Sequence, residues 1–198
     1  MKILGITGPT GSGKSLLCKY LSEMEMPCID ADKVYHSMLV PPSECLEALR
    51  QSFGDEIFAP DGSLDRARLG KIVFTCPEKL ELLNKTVLER VLVRIREMIS
   101  DFEKQGFDAV AVDAPTLIES GFHKECNVVI SVLADQSIRQ TRIIERDSIS
   151  QEKAELRINA QKCDDFYLEN SDHTIRNNGD VEKFKRDIIS LLAKLGIK

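Results

Sequence analysis

The sequence predicts an α/β fold in which helices flank a parallel β-sheet. Residues 3–7, 109–112 and 128–133 form continuous apolar runs, the pattern of strands that are covered on both faces. Segments with apolar residues at helical spacing lie between these runs. After the first run, for example, these residues are Leu17, Leu21 and Met24. Residues 27–29 predict a further short strand, followed by a helix that ends before two prolines. In such folds, ligands bind at the carboxyl ends of the strands.

A long helical insertion is predicted at residues 43–106, where strand signals are almost absent. Its apolar residues fall on one helical stripe: Leu80, Leu83, Val87, Val91, Ile95, Ile99 and Phe102. Further on, the pattern predicts helices at 137–146 and 151–163, a short strand near 174–175 and a final amphipathic helix that Gly196 ends. We therefore expect one domain, residues 1–198, that contains the insertion 43–106 and a lid at about 137–165.

Composition excludes several classes of protein. The chain has 198 residues and a net charge of -5, without the basic footprint of a nucleic-acid binder or a polybasic membrane protein. No apolar stretch approaches the roughly 20 residues that a bilayer requires. The six cysteines are scattered without a CxxC pair, so neither a zinc site nor a disulfide framework is indicated. We expect a cytoplasmic protein with no nucleic-acid or membrane partner, either a monomer or a small homo-oligomer.

A phosphate-binding loop follows the first strand. Residues 8–15 read Gly-Pro-Thr-Gly-Ser-Gly-Lys-Ser, which matches G-x-x-x-x-G-K-[ST] between a strand and a helix. Backbone amides around Gly11, Ser12 and Gly13 are expected to surround phosphate oxygens, and Lys14 to reach the β and γ phosphates. The Ser15 hydroxyl is then a ligand for Mg²⁺. The motif predicts a site for a nucleoside triphosphate with Mg²⁺.

The loop alone does not define a reaction, because kinases, ATPases and GTPases all use it. The N-K-x-D run that reads guanine is missing from the sequence. A helical insertion after the second strand is typical of small-molecule kinases. We therefore favour a kinase function and a fold like that of the P-loop nucleotide kinases.

Three aspartates are candidates for the chemistry. Asp30 and Asp32 follow the second strand, where a carboxylate can orient an acceptor hydroxyl and take its proton. Either one could instead cap the following helix. We favour Asp32 as the base and keep Asp30 as the second choice for base or Mg²⁺ partner. Asp113 ends another strand and is equally compatible with a metal-binding role or a turn before Pro115.

Arginines at helical spacing predict a lid. Arg139, Arg142 and Arg146 share one helix face, and Arg157 lies on the next predicted helix. Arg142 and Arg146 are predicted to clamp the triphosphate and to neutralise charge in the transition state. For Arg139, the sequence favours a solvated position paired with Asp135.

The chain resembles the dephospho-coenzyme A kinase family, which phosphorylates the ribose 3′-hydroxyl of dephospho-CoA with ATP. The likeness runs nearly end to end, through the phosphate loop, Asp30-Ala31-Asp32, Asp61-Gly62-Ser63-Leu64-Asp65-Arg66, Glu119, Arg142, Arg146-Asp147, Arg157, Gln161 and Asn177. The resemblance implies a nucleotide-binding core, a helical CoA-binding lobe and a mobile lid. It implies an ATP-binding set of Gly11, Ser12, Gly13, Lys14, Ser15, Leu16, Arg146 and Asn177, with Asn177 near the adenine. It also implies that the acceptor is bound by Asp30, Asp32, Arg66 and Glu119, with Lys14, Asp32 and Arg142 in catalysis.

Some residues depart from the family pattern. Pro9-Thr10 replaces Gly and an aliphatic residue, and Leu16 stands where Thr is common. Leu88-Glu89 replaces a His-Pro pair, while Asp164 and Tyr167 replace basic residues after Gln161. Because Arg90 and Arg94 are one helical turn apart, we expect them to replace lost acceptor contacts.

Two other functions are compatible with the sequence. The first is a P-loop kinase that acts on a nucleoside or a nucleoside monophosphate. The second is a non-catalytic ATP-binding protein whose lid motion is read by a partner.

Overall fold

A five-stranded sheet forms the centre of the fold, in a computed structural model that describes residues 1–197. The strands are β1 (Lys2–Thr7), β2 (Cys28–Asp30), β3 (Ala109–Asp113), β4 (Val128–Leu133) and β5 (His173–Arg176). Their order in the sheet is β2-β3-β1-β4-β5, and β1 pairs in parallel with β3 and β4, as β4 does with β5. The predicted α/β fold with a parallel sheet is confirmed.

The described helices are α1 (Lys14–Glu23), α2 (Ala31–Ser37), α3 (Glu44–Phe53), α4 (Arg66–Val73), α5 (Pro77–Lys104), α6 (Gln136–Asp147), α7 (Gln151–Asn159), α8 (Asp164–Glu169) and α9 (Val181–Lys194). Short 3-10 helices lie at Asp55–Ile57 and Phe122–Glu125. No helix within residues 1–197 is both long and apolar enough to cross a membrane.

One predicted helix is too long. The segment 151–163 was expected to be continuous, but α7 ends at Asn159 and a separate helix, α8, begins at Asp164. Gln161 lies in the turn between them, where its side chain bonds to residues far away in the sequence. Periodicity did not reveal this break, because the polar residues on both sides of it suit either a helix or a turn.

The chain divides into two compact units. The first consists of Met1–Ile29 with the residues from Phe102 onward, and the second is Asp30–Asp101. The predicted insertion 43–106 falls mostly in the second unit, where α3, α4 and most of α5 form the helical structure that the sequence indicated. Its assignment as an acceptor lobe stays a prediction.

The core of the first unit is built from the apolar strand residues that predicted the sheet. Leu4 and Ile6 of β1 and Val132 of β4 are fully buried. Leu21 of α1 and Phe184 of α9 pack in the same cluster, so helices cover the strands. This packing anchors β1 and α1, the two elements that the phosphate loop connects.

The second unit has its own apolar cluster, which includes Leu46, Leu49, Ile57, Leu69 and Val73. The Asp61-to-Arg66 motif of the same unit is held by local hydrogen bonds. Asp61 Oδ1 accepts from the backbone nitrogen of Ser63 at 3.0 Å, and Asp65 Oδ1 caps α4 by accepting from Arg68 N at 3.0 Å. Both aspartates therefore shape the turn that presents Arg66 at the start of α4.

We expect Leu21→Ala to lower the free energy of unfolding by about 2 to 5 kcal/mol, because it opens a cavity among fully buried side chains. Leu156→Ala is the matched control, since Leu156 is also helical but 70% exposed. It should change stability by no more than about 0.5 kcal/mol. Urea denaturation measures both, and equal losses would contradict the assigned core.

Candidate active site

The phosphate loop connects β1 to α1 and depends on two glycines with left-handed backbones. Gly11 has φ +77°, and a Cβ there would lie 2.8 Å from the carbonyl oxygen of Arg139. Gly13 has φ +109°, and a Cβ there would lie 2.0 Å from Asn177 Nδ2. Other residues are excluded by both conformation and space, so the loop backbone packs directly against its neighbours.

The start of α1 presents the groups that the sequence assigned to ATP. Lys14 Nζ donates to the carbonyl oxygens of Gly8 at 2.8 Å and Pro9 at 3.4 Å, which places the ammonium over the loop. Ser15 is exposed in the first turn, whereas Ser12 is fully buried. Leu16 packs partly against the core cluster. A loop with a cationic side chain at a helix N-terminus can bind phosphate.

Arg142 and Asn177 bond to the loop backbone. Arg142 Nη1 lies 3.1 Å from the carbonyl oxygen of Gly11, and its Nη2 lies 3.2 Å from Asn177 Oδ1. Asn177 Nδ2 donates to the carbonyl oxygen of Ser12 at 2.9 Å, and Asn177 is 2% exposed. Burial lowers the pKa of Arg142. The structure thus gives both residues a contact with the loop that the sequence did not predict, while their predicted contacts with ATP stay predictions.

Arg146 lies at the end of α6 and pairs with its neighbour Asp147. Its Nε donates to Asp147 Oδ1 at 2.8 Å, and this hydrogen bond raises the pKa of Arg146. Arg157 of α7 also bonds to Asp147. One carboxylate therefore connects arginines from two helices of the predicted lid.

Arg139 contradicts the sequence-based interpretation. We expected a solvated side chain paired with Asp135, but Arg139 is 5% exposed and its Nε donates to the carbonyl oxygen of Thr10 at 3.1 Å. The signal for this was available, because Arg139 shares a helix face with Arg142. The local pairing rule concealed it, since that rule takes no account of tertiary burial.

Asp113 ends β3 and is 9% exposed. Its Oδ2 accepts a hydrogen bond from Cys18 Sγ at 3.7 Å. The hydrogen bond with Cys28, burial and the Asp113 charge all raise the pKa of Cys18, so its thiol stays protonated. The Ser15 hydroxyl and the Asp113 carboxylate are hard oxygen donors of the kind that Mg²⁺ prefers. Within residues 1–197, no cluster of three or more His, Cys, Asp or Glu residues could hold a metal ion.

The two aspartates after β2 differ in their surroundings. Asp30 Oδ1 caps α2 by accepting from the backbone nitrogen of Lys33 at 3.0 Å, and its Oδ2 lies 3.4 Å from Lys33 Nζ. Asp32 is exposed in the first turn of α2, and its side chain makes no hydrogen bond or ion pair with residues 1–197. The capping role considered for either residue belongs to Asp30, which leaves the Asp32 carboxylate available for chemistry.

The remaining predicted acceptor residues, Arg66 and Glu119, are both exposed. Burial raises the pKa of Tyr167, and the negative charge of Glu119 raises it further. Tyr167 is 3% exposed and packs with Ile118 and Leu133. It is therefore part of an apolar cluster and not a replacement for a basic side chain.

The two arginines expected to replace lost acceptor contacts already have partners. Arg90 Nη1 donates to the carbonyl oxygen of Thr86 at 3.1 Å, and Arg94 Nη1 lies 2.9 Å from Glu97 Oε2. Whether either one binds the acceptor stays a prediction.

Comparison with known proteins identifies the family. A family model described as dephospho-CoA kinase matches residues 2–183. The chain belongs to the dephospho-CoA kinase family. A curated dephospho-CoA kinase from Dehalococcoides mccartyi is 37% identical over 194 residues, which cover 98% of this chain and 97% of the relative.

Solved structures with a similar fold include a dephospho-CoA kinase. A Thermus thermophilus protein superposes with a TM-score of 0.80 and 27% identity, over 98% of this chain and 97% of its own. The dephospho-CoA kinase from Campylobacter jejuni superposes with a TM-score of 0.71 and 25% identity, over 98% of each chain. The resemblance drawn from sequence motifs is confirmed along nearly the whole chain.

Gly13→Ala tests the close packing of the phosphate loop. We expect it to weaken ATP binding at least about tenfold, because the added Cβ displaces either the loop or the Asn177 amide. Gly179→Ala is the control, since Gly179 has a similar φ of +111° but nothing within 4 Å of a Cβ. It should cost only the roughly 1 to 2 kcal/mol of left-handed strain and leave affinity unchanged. Titration calorimetry with ATP measures both, and similar affinities in the two variants would contradict the packing argument.

Proposed function

We propose that the protein transfers the γ-phosphoryl group of ATP to the ribose 3′-hydroxyl of dephospho-CoA, which completes coenzyme A. The observation that carries this conclusion is the match of the dephospho-CoA kinase family model to residues 2–183. That range includes the phosphate loop, the two aspartates after β2 and the arginines of α6. The family match does not favour the alternatives of another acceptor or of a non-catalytic ATP-binding protein.

The phosphate loop supplies positioning and electrostatic stabilisation. Its amides and the N-terminus of α1 bind the phosphates, and Lys14 neutralises charge that builds up on the transferring group. Arg146 adds a further cation from the lid, and Arg142 acts beside it while keeping its contact with the carbonyl oxygen of Gly11. Leu16 and Asn177 complete the proposed ATP site. In phosphoryl transfer, positioning and charge stabilisation provide most of the acceleration.

Asp32 is the proposed base. Its carboxylate has no competing partner within residues 1–197, which suits a group that must accept a hydrogen bond from the acceptor hydroxyl. The hydroxyl oxygen forms a bond to the γ-phosphorus as the bond from that phosphorus to the β,γ-bridging oxygen breaks. The proton passes to Asp32, and ADP leaves with the bridging oxygen. Asp30, Arg66 and Glu119 are proposed to hold the acceptor.

Mg²⁺ is the proposed ion of the site, with the Ser15 hydroxyl as ligand and Asp113 as a further donor. When bound, it neutralises phosphate charge and helps to align the triphosphate. The insertion 43–106 and the segment 137–165 are the proposed acceptor lobe and lid.

A coupled assay of ADP release tests the function. We expect turnover with dephospho-CoA and none above background with nucleosides or nucleoside monophosphates. Lys14→Ala should lower turnover at least about a hundredfold with an unchanged melting temperature, because Lys14 meets phosphate charge and not the core. Turnover with another acceptor, or wild-type turnover in the variant, would contradict the assignment.

The roles of the two aspartates are separated by Asp32→Asn and Asp30→Asn. We expect Asp32→Asn to lower kcat by roughly 10²- to 10⁴-fold and to change the KM for dephospho-CoA much less. Asp30→Asn is a matched change in which the fold is retained, because asparagine caps helices as well as aspartate does. Steady-state kinetics measures both, and a larger kcat loss in Asp30→Asn would exchange the two roles.

A further inference from the structure

Thr10 of the phosphate loop is held at every polar atom by side chains of residues 139–161. Its backbone nitrogen donates to Gln161 Oε1 at 2.9 Å, and its carbonyl oxygen accepts from Arg139 Nε at 3.1 Å. Its hydroxyl oxygen lies 3.4 Å from Arg146 Nη2. Three separate side chains thus converge on one loop residue, which fixes its backbone and its side chain together.

Arg139 is central to this set of contacts. Its Nη2 donates to Gln161 Oε1 at 3.3 Å, so one amide oxygen accepts from both the arginine and the Thr10 backbone. The backbone of Arg139 also lies where a Cβ on Gly11 would collide with it. The loop is therefore in contact with α6 through both the main chain and the guanidinium of the same residue.

Burial of this guanidinium needs compensation, since Arg139 is 5% exposed. Asp164 supplies it, with Oδ1 3.9 Å from Arg139 Nη1 and Oδ2 3.7 Å from Arg176 Nη1. Burial lowers the pKa of Arg139, and the negative charge of Asp164 opposes that change. The charged form is the one that can donate to Thr10 and Gln161 at once.

We propose that Arg139 is a positioning residue for ATP, which fixes the phosphate loop through Thr10, with Gln161 as the bridge and Asp164 as the counter-ion. The inference rests on the proposed function only for the identity of the acceptor. Arg139 donates hydrogen bonds to the loop carbonyl and to Gln161 and pairs with Asp164, and through these contacts it holds the loop amides that bind the nucleotide. These amides bind phosphate in the ground state and in the transition state alike, which predicts an effect on the KM for ATP and little effect on kcat.

Arg139→Gln tests the proposal, with Arg186→Gln as the matched control on the exposed face of α9. Loss of a charge-assisted hydrogen bond to the loop should raise the KM for ATP roughly tenfold or more. The kcat should stay within about twofold of wild type, and the KM for dephospho-CoA should be unchanged. The control should leave all three constants at wild-type values. Arg139→Lys should not restore the KM, because a single ammonium cannot reproduce the contacts of a planar guanidinium.

Gln161→Ala provides a second, milder variant in case Arg139→Gln is poorly folded. It should raise the KM for ATP in the same direction. Because both residues act on Thr10, the double variant should be no worse than about the poorer of the two single ones, whereas independent effects would multiply. Calorimetric titration with a non-hydrolysable ATP analogue measures the same loss of affinity without any acceptor.

The outcomes separate this proposal from the proposed function. If wild type binds the ATP analogue but does not phosphorylate dephospho-CoA, the function fails and the titrations still decide the role of Arg139. An unchanged ATP affinity in folded Arg139→Gln would overturn the proposal. So would a lower melting temperature and a smaller active fraction with an unchanged KM for ATP, since that result describes a purely structural residue.

Discussion

The phosphate loop is a segment of backbone whose carbonyl oxygens must be satisfied without occupying the amides that bind phosphate. For three of these oxygens, side-chain donors from outside the loop meet this requirement. The carbonyl oxygens of Thr10, Gly11 and Ser12 accept from Arg139, Arg142 and Asn177, respectively. Two of these donors are cationic, so they add positive potential behind the loop as well as holding its shape. The close approach of α6 and Asn177 that makes these bonds possible is also what restricts positions 11 and 13 to glycine.

The positive charge that can attract anionic substrates is local to the phosphate loop, whereas the protein as a whole is acidic. The chain carries a net charge of -5, but Arg139, Arg142, Arg146, Arg157 and Arg176 are connected to one another or to the loop by hydrogen bonds and ion pairs. The carboxylates that join this group are those of Asp147 and Asp164. Cations therefore exceed anions around the loop, and burial reduces solvent screening most for Arg139, whose side chain is 6% exposed. A triphosphate is attracted locally by a protein that is acidic as a whole.

The sequence predicted what local patterns determine. Continuous apolar runs located the strands, and the glycine-rich motif located the loop together with Lys14 and Ser15. The break between α7 and α8 was missed because its residues form long-range bonds, above all Gln161, which bonds to Thr10 and Arg139. Arg139 was misjudged for the same reason, since a pairing rule for residues four apart on a helix does not describe a side chain buried against a distant loop. The network around Thr10 is tertiary in every bond, so no local pattern contains it.

Two of the departures from the family pattern, Asp164 and Tyr167, lie close to the buried guanidinium of Arg139. A basic residue was expected at position 164, yet Asp164 stands there and pairs with both Arg139 and Arg176. The positive charge next to Gln161 is therefore supplied by a helix that precedes it in the chain, and the acidic residue stabilises that charge. Tyr167 fits the same arrangement, because an apolar ring packed with Ile118 and Leu133 adds no further cation beside a guanidinium that is already buried. In this chain, the cation beside Gln161 is therefore Arg139 of α6, and Asp164 is its acidic partner.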